Sequence, residues 1–340
     1  MFSFCKEPGM INIMETVMNL GGRQNLYDYA YAELFPEKFK MNLLLNGVRS
    51  AAEWLCRMQE DRLAFPAGLD PEGKKVFENN PRLSAIAGSA LIEYGRAVNE
   101  PRFIIAADKA FNYIKRRIEN LRFRDSYTLA QVGIFAIKLG ESDYAAEFSK
   151  EITGKFDAGN IDPTVANIVA KFLKIMPSKT GEEARTLEKI LAGIKNNFYF
   201  SLEHKLIMAS ASYADTPGLL KDIDKKSAED VLRWVASQEM PSGGFQRDTD
   251  FHVACTRGTA RIFRAFADQR EYTEILERSI PWLLSLQYSA HNAFGFPSGL
   301  AKFMSGGFRY KIKNSSIWLD SAAHFVSGGL IYQNGILTQR

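Results

Sequence analysis

Cysteine is scarce in this chain: three residues in 340, Cys5, Cys56 and Cys255, far apart and odd in number. That usage gives no disulfide framework and fits a reducing compartment. Long apolar runs are also lacking. Although 46% of the residues are apolar, no run reaches the ~18 needed to span a bilayer. Blocks of one charge are missing too. The net charge of +4 is spread along the sequence, which argues for a solvated surface and against a nucleic-acid site. The N-terminal stretch carries Glu7, Pro8 and Glu15 where a signal peptide needs an unbroken apolar core. The expectation is a cytoplasmic protein without a transmembrane segment, for which a peripheral membrane contact stays open.

What the chain has in quantity is helical periodicity. Residues 1–40 read as a lead-in, with a helix near Gln24 to Leu34 ended by Pro36, and 41–340 as one domain. From Met41 onward the apolar spacing is helical and no strand alternation appears. Six charged segments, about 42–58, 101–119, 141–155, 182–198, 219–238 and 271–287, need one wet face. Six blander ones alternate with them, about 82–97, 125–139, 163–175, 203–213, 250–267 and 316–332. Their Ala, Gly and Ser allow close helix approach. Strict alternation predicts an all-α double ring, an (α/α)6 toroid with the charged helices outside; an open solenoid is the alternative. The turns VNEP, LGES, PSKTG, ADTPG and ADQR read as short inner-to-outer connections. The long loops Gln59–Pro81, Glu239–Thr249 and Tyr288–Ser315 fall on the other face, the mouth, where a site is expected.

The inner segments open with Arg82, Asp125, Asp162, Glu203 with His204, Asp250 with His252, and Asp320. Capping of free helix amides is one use for such acids, and Asp162 before Pro163 reads as a plain cap. Asp248 and Asp250 follow a Gly-rich turn, so one can cap while the other faces the cavity as a proton donor. Together with Asp125 they are the candidate catalytic residues. Arg257, Arg261 and Arg264 form a stripe at i, i+4 and i+7. Either they pair with acids of neighbouring helices or they grip an anionic substrate. His252/Cys255 and Asp320/His324 have spacings that can converge on zinc, yet packing and hydrogen bonding are the expected roles, with no metal or cofactor. Phe65, Phe245, Phe294, Phe296, Phe308 and Tyr310 lie in mouth loops and Trp318 opens the last inner helix. An aromatic-lined mouth suits a carbocation or a sugar ring. Phe245, Phe296, Trp318, Tyr310, Arg257 and Arg261 are therefore the candidate binding residues.

A three-fold pattern then gives a resemblance. Trp54, Trp234 and Trp282 each stand four or five positions before a Gln, and an aromatic follows in the turn beyond: QEDRLAF, QEMPSGGF and QYSAHNAFGF. QEMPSGGF resembles the Gln-to-Trp repeat of squalene and oxidosqualene cyclases, with Phe for Trp. GGF followed by DFHVACTRGTA is similar to the repeat of protein prenyltransferase β subunits. The resemblance implies a terpenoid-cyclase-like enzyme that protonates or ionises an isoprenoid in an aromatic cavity, with Asp248 or Asp250 as acid and Arg257 and Arg261 near an anionic head. The chain departs from it in Asp248-Thr249-Asp250, two carboxylates where a DxDD-type donor has three. The helical segments are also similar to carbohydrate-active toroids, the sugar epimerases and unsaturated-uronate hydrolases, which imply Asp125, Glu203 and Asp250 facing a sugar. A non-catalytic binding toroid is the third reading. The two enzyme readings expect a small-molecule partner at the mouth, and no nucleic acid is expected.

Overall fold

The computed structural model describes residues 36–59, 64–76, 81–119, 124–155, 162–246, 254–289, 298–311 and 314–337. Among them, six outer helices alternate with an inner ring. The outer set is α1 (Pro36–Met58), α3 (Pro101–Ile118), α5 (Ser142–Lys155), α7 (Gly181–Glu203), α9 (Lys225–Ser237) and α11 (Thr273–Ser285). The inner set is α2 (Pro81–Val98), α4 (Ser126–Leu139), α6 (Pro163–Ile175), the pair formed by a 3-10 turn (Ser210–Tyr213) and α8 (Thr216–Leu220), α10 (Thr256–Phe266) and α13 (Leu319–Leu337). A further short helix, α12 (Ser298–Met304), lies in the last mouth loop. Neighbouring inner elements pack in that order, and α13 returns against α2 and α1, so the ring closes. The fold is an α/α toroid.

Glycines set the spacing of the inner ring. A Cβ on Gly88 of α2 would stand 2.3 Å from the Phe135 ring of α4, and one on Gly133 of α4 would stand 2.3 Å from Phe172 of α6. Each large ring thus enters the hole left by a glycine on the preceding inner helix, and both rings are fully buried. A helical Gly→Ala change ordinarily gains about 0.5–1 kcal/mol. Gly133→Ala should instead lose about 1–3 kcal/mol by overpacking; a rise in urea midpoint would refute this account of the ring.

The Trp and Gln positions of the repeat stitch the outer wall. Gln287 donates from Nε2 to the Gly47 carbonyl of α1 (2.8 Å), and Gln59, after α1, donates to the Ala106 carbonyl of α3 (2.9 Å). Each ties one outer helix to the next, whereas Gln238 donates to Ser237 beside it. Trp54 and Trp282 sit on Gly-Gly-Phe turns. Gly243 and Gly306 have φ of 87° and 94°, which glycine adopts without strain. The following Gly244 lies under Trp282 and Gly307 under Trp54, where a Cβ would come within 2.7 and 2.9 Å. Phe245 and Phe308 then enter the core at 0% exposure.

Two features differ from the sequence expectation. The segment 203–213 does not form a full fourth inner helix. The outer helix α7 runs on through Glu203, and Lys205, at φ 51°, turns the chain out of it. Pro217, in the first turn of α8, has no amide hydrogen with which to extend the 3-10 turn before it, so the fourth inner position holds that turn and one short helix. Asn167 of α6 holds this pair by donating to the Ser212 carbonyl and accepting from Thr216 Oγ1 (both 2.9 Å). ADTPG is accordingly part of the inner wall and no simple turn. The second feature is a small antiparallel sheet at the mouth, order β2-β1-β4-β3, from β1 (Gly68–Leu69), β2 (Lys75–Val76), β3 (Arg309–Lys311) and β4 (Asn314–Trp318). Gly68 pairs with Trp318 and Leu69 with Ile317, so the first and last long loops are joined over the ring closure. These strands are two to five residues long, too short for period-2 alternation to register in a sequence. Trp318 ends β4; it does not open the last inner helix.

Candidate functional site

Charged and aromatic side chains gather in two layers, one at the mouth and one on the barrel axis. At the mouth, α10 starts at Thr256 with Cys255 as its cap, the sulfur accepting from the Gly258 amide (3.4 Å). Arg257, on the first turn, donates from Nε to Asp320 on the first turn of α13 (2.8 Å). Burial works against the Arg257 charge, but the Asp320 carboxylate outweighs it and raises its pKa. The same guanidinium lies 4.7 Å from the Trp318 ring, which meets Tyr310 edge to face at 6.3 Å. Thr256 Oγ1 lies within hydrogen-bonding distance of the Tyr310 carbonyl and Ser321 Oγ, tying β3 to both helix starts. Across the mouth, the Arg82 guanidinium stands 4.6 Å over Tyr127.

The axial layer lies a turn or two further along the inner helices. Arg264 donates to Asp215 Oδ1 (2.6 Å), Arg261 to Asp215 Oδ2 (3.2 Å), and Lys171 to Asp215 Oδ1 (3.1 Å). One carboxylate, 7% exposed, thus faces three cations. Burial alone would raise its pKa, yet Arg264, Lys171 and Arg261 hold it well below the usual carboxylate range. Beside it Lys138 bonds Glu93, which also accepts from Ser327 Oγ (2.5 Å). Burial and the neighbouring Arg264 push Lys171 down to about 8, and the same two causes hold His324 well below its ordinary value. His324 is neutral, and its Nδ1 accepts from Arg264 (3.2 Å), which places the ring proton on Nε2.

Between these groups lies a cavity of about 30 Å³, lined by Ile86, Ser89, Gln131, Ile134, Lys138, Ile168, Lys171, Arg264, Ala323, His324 and Ser327. The side chains of Lys138 and Lys171 keep 28% and 34% of their surface. Both line the cavity and stay partly accessible.

Of the residues singled out from the sequence, Arg257, Trp318 and Tyr310 come together at the mouth, while Arg261 and Arg264 belong to the axial network. Phe245 packs in the core, because the Gly-Gly turn directs its ring beneath Thr259, whose hydroxyl accepts from the Phe245 amide (2.8 Å). Phe65 is likewise buried, at 4% exposure. Asp125 caps α4, with one oxygen accepting from the Thr128 amide (2.9 Å) and the other from the Thr128 hydroxyl (2.7 Å). Asp162 caps α6 through the amides of Thr164 and Val165. Glu203 and His204 end the outer helix α7 and are exposed, so they do not open an inner one. Asp248, Asp250, His252, Phe294 and Phe296 lie outside the described residues, as do Cys5 and the segment Gln24 to Leu34. Among the described residues no three His, Cys, Asp or Glu side chains gather as metal ligands, and no helix is long and apolar enough to cross a membrane.

Sequence reading missed Glu93, Lys138, Lys171 and Asp215. A signal existed for the first three: Glu93 and Lys138 are single charges inside bland inner segments, in SALIEYG and IFAIKLG, and Lys171 is one of two lysines in VAKFLK. Asp215 had none, because ADTPG reads as a turn on composition.

No family model matches the chain, and no curated protein matches it. Solved structures do. An unsaturated glucuronyl hydrolase specific for heparin superposes with a TM-score of 0.65 at 13% identity, over 88% of this chain and 98% of that one. An α-1,6-mannanase from Salegentibacter sp. gives 0.59 at 12% identity, over 85% and 98%. A type II terpene cyclase from Scytonema, in complex with merosterolic acid A, gives 0.57 at 13% identity, over 89% and 99%. At such identities the likeness extends to the toroid fold and stops there.

Proposed function

We propose that this chain is a toroid enzyme acting at the barrel mouth on an anionic carbohydrate, a uronate-bearing sugar being the chemistry that fits best. The observation that carries the choice is the character of the axis. A polyene folded for cyclisation needs a dry chamber of several hundred Å³. The axial cavity is about 30 Å³, with four aliphatic side chains, seven polar ones and no Phe, Tyr or Trp in its lining. At the mouth, Trp318 and Tyr310 offer rings for a sugar to stack on, and Arg257 and Arg82 offer guanidinium groups for its carboxylate. Asp248 and Asp250 remain the proposed proton-transfer pair. Asp125 can serve in the reaction only by giving up its cap.

The isoprenoid reading retains one support, the similarity of the repeat turns to those of the cyclases. Incubation with two panels separates the readings: unsaturated uronyl disaccharides and longer uronate oligosaccharides in one, linear isoprenoid diphosphates and neutral polyenes in the other. Mass spectrometry should find new products in the first panel and unchanged material in the second. Products from the isoprenoid panel alone would restore the cyclase reading. Inert substrate in both panels, with the protein folded, would sink the enzymatic reading in favour of a binding toroid.

A further inference from the structure

The axial layer is short of negative charge. Lys138, Lys171, Arg261 and Arg264 are four cations on α4, α6 and α10, and among the described residues only Glu93 and Asp215 answer them, which leaves an excess of two positive charges. His324 does not alter the count, because it is neutral, and Arg257 with Asp320 forms a separate pair nearer the mouth. An uncompensated charge inside a barrel is costly unless a counter-charge is supplied. A second observation points into the same space. Ser89 Oγ is buried, at 6% residue exposure, lines the cavity and has no hydrogen-bond partner, so a donor is held there unused.

We propose that the axial cavity is a binding site for a doubly charged tetrahedral oxyanion, phosphate or sulfate, held by Lys138, Lys171, Arg264 and Ser89. The charge of the ligand equals the excess it meets. The size agrees as well: about 30 Å³ is room for two or three waters, since one needs roughly 10–15 Å³, and a tetrahedral oxyanion fills a similar space. Arg264 and Lys171 already touch Asp215 from one side, and each has donor groups left over for a ligand on the cavity side. Burial first and the neighbouring Arg264 second lower the Lys171 pKa, and an anion beside it would oppose both. The site rests on described residues of the axis alone, and it stands or falls independently of what the mouth turns over.

Isothermal titration calorimetry of the full chain with inorganic phosphate and with inorganic sulfate tests the proposal, with chloride as control. Both oxyanions should bind with one-to-one stoichiometry, more tightly than chloride. Near pH 8 binding should take up a proton, because the bound dianion restores the proton of Lys171; buffers of differing ionisation enthalpy read this out. A glucose phosphate and a glucose sulfate form the second arm. Tighter binding than the free ions assigns the site to a group carried on a sugar, and weaker binding assigns it to the free ion.

Ser89→Ala removes only a hydroxyl and should weaken phosphate at least fivefold with an unchanged fold. Lys171→Met removes a charge already costly to bury, so it should leave the thermal midpoint equal or higher while weakening phosphate at least tenfold. Phosphate that neither releases heat nor raises the midpoint of the folded parent at millimolar concentration would overturn the proposal. So would binding left unchanged by both substitutions, since the ion would then sit elsewhere.

Discussion

Asp215→Asn should cost the fold about 3–5 kcal/mol, the range found when one partner of a buried charge cluster is removed. The substitution keeps the shape of the side chain and deletes the carboxylate to which Arg261, Arg264 and Lys171 all bond. Three cations would then face one another inside the ring with Glu93 as the nearby carboxylate. Against a typical domain stability of about 5–15 kcal/mol, much of the population can unfold at physiological temperature. Urea denaturation of the parent and the variant measures the loss; a difference under about 1 kcal/mol would show that the axis is hydrated and the carboxylate dispensable. Adding Lys171→Met to Asp215→Asn should recover part of the loss, because two residues sharing one cluster are coupled.

The same residue has a signature in acid. Its folded pKa lies well below the ordinary value of 3.8, so its contribution is complete above that value and is lost as pH falls through the folded one. The parent should therefore lose stability in a step below pH 3.8 that Asp215→Asn lacks. His324 acts at higher pH. The unfolded ring takes a proton below 6.5 while the buried ring stays neutral, so stability declines as pH falls under 6.5 in parent and variant alike.

Asp250→Asn should lower turnover of the uronate panel by about 10²–10⁴-fold, the usual contribution of a positioned general acid or base. The melting temperature should change little, because the amide preserves the shape and part of any capping. Asp162→Asn is the matched control. Its carboxylate is exposed and bonded to the first amides of α6, so a loss of a few tenths of a kcal/mol in stability is expected with turnover intact. Activity that dies with Asp162→Asn and survives Asp250→Asn would move the site to another arc of the barrel.

Much of this architecture can be read from the chain alone. The alternation of charged and small-residue segments is a local property, because each helix shows its wet and dry faces within three or four turns, and it specifies the double ring. The caps are legible for the same reason: Asp125 and Asp162 bond amides two or three residues away. The glutamines after Trp54 and Trp282 also carry their signal locally, each five residues past its tryptophan.

What only the tertiary structure decided depends on residues far apart in sequence. Arg257, Arg261 and Arg264 read as a stripe, but which acids answer them depends on Asp320 and Asp215, which ring closure brings to opposite sides of α10. Phe245 reads as a mouth aromatic, and it enters the core because Gly244 lets Trp282 sit directly on the turn. The shortened fourth inner element follows from a left-handed Lys205, a conformation that no composition rule assigns to lysine. Lys138 is one charge in an otherwise bland helix, Lys171 shares its helix with Lys174 and Arg264 shares its helix with Arg257 and Arg261, and a helix by itself can place such charges in solvent. Only when six hairpins close do Lys138, Lys171, Arg261 and Arg264 share one axis, where, among the described residues, Glu93 and Asp215 are the two carboxylates that answer four cations.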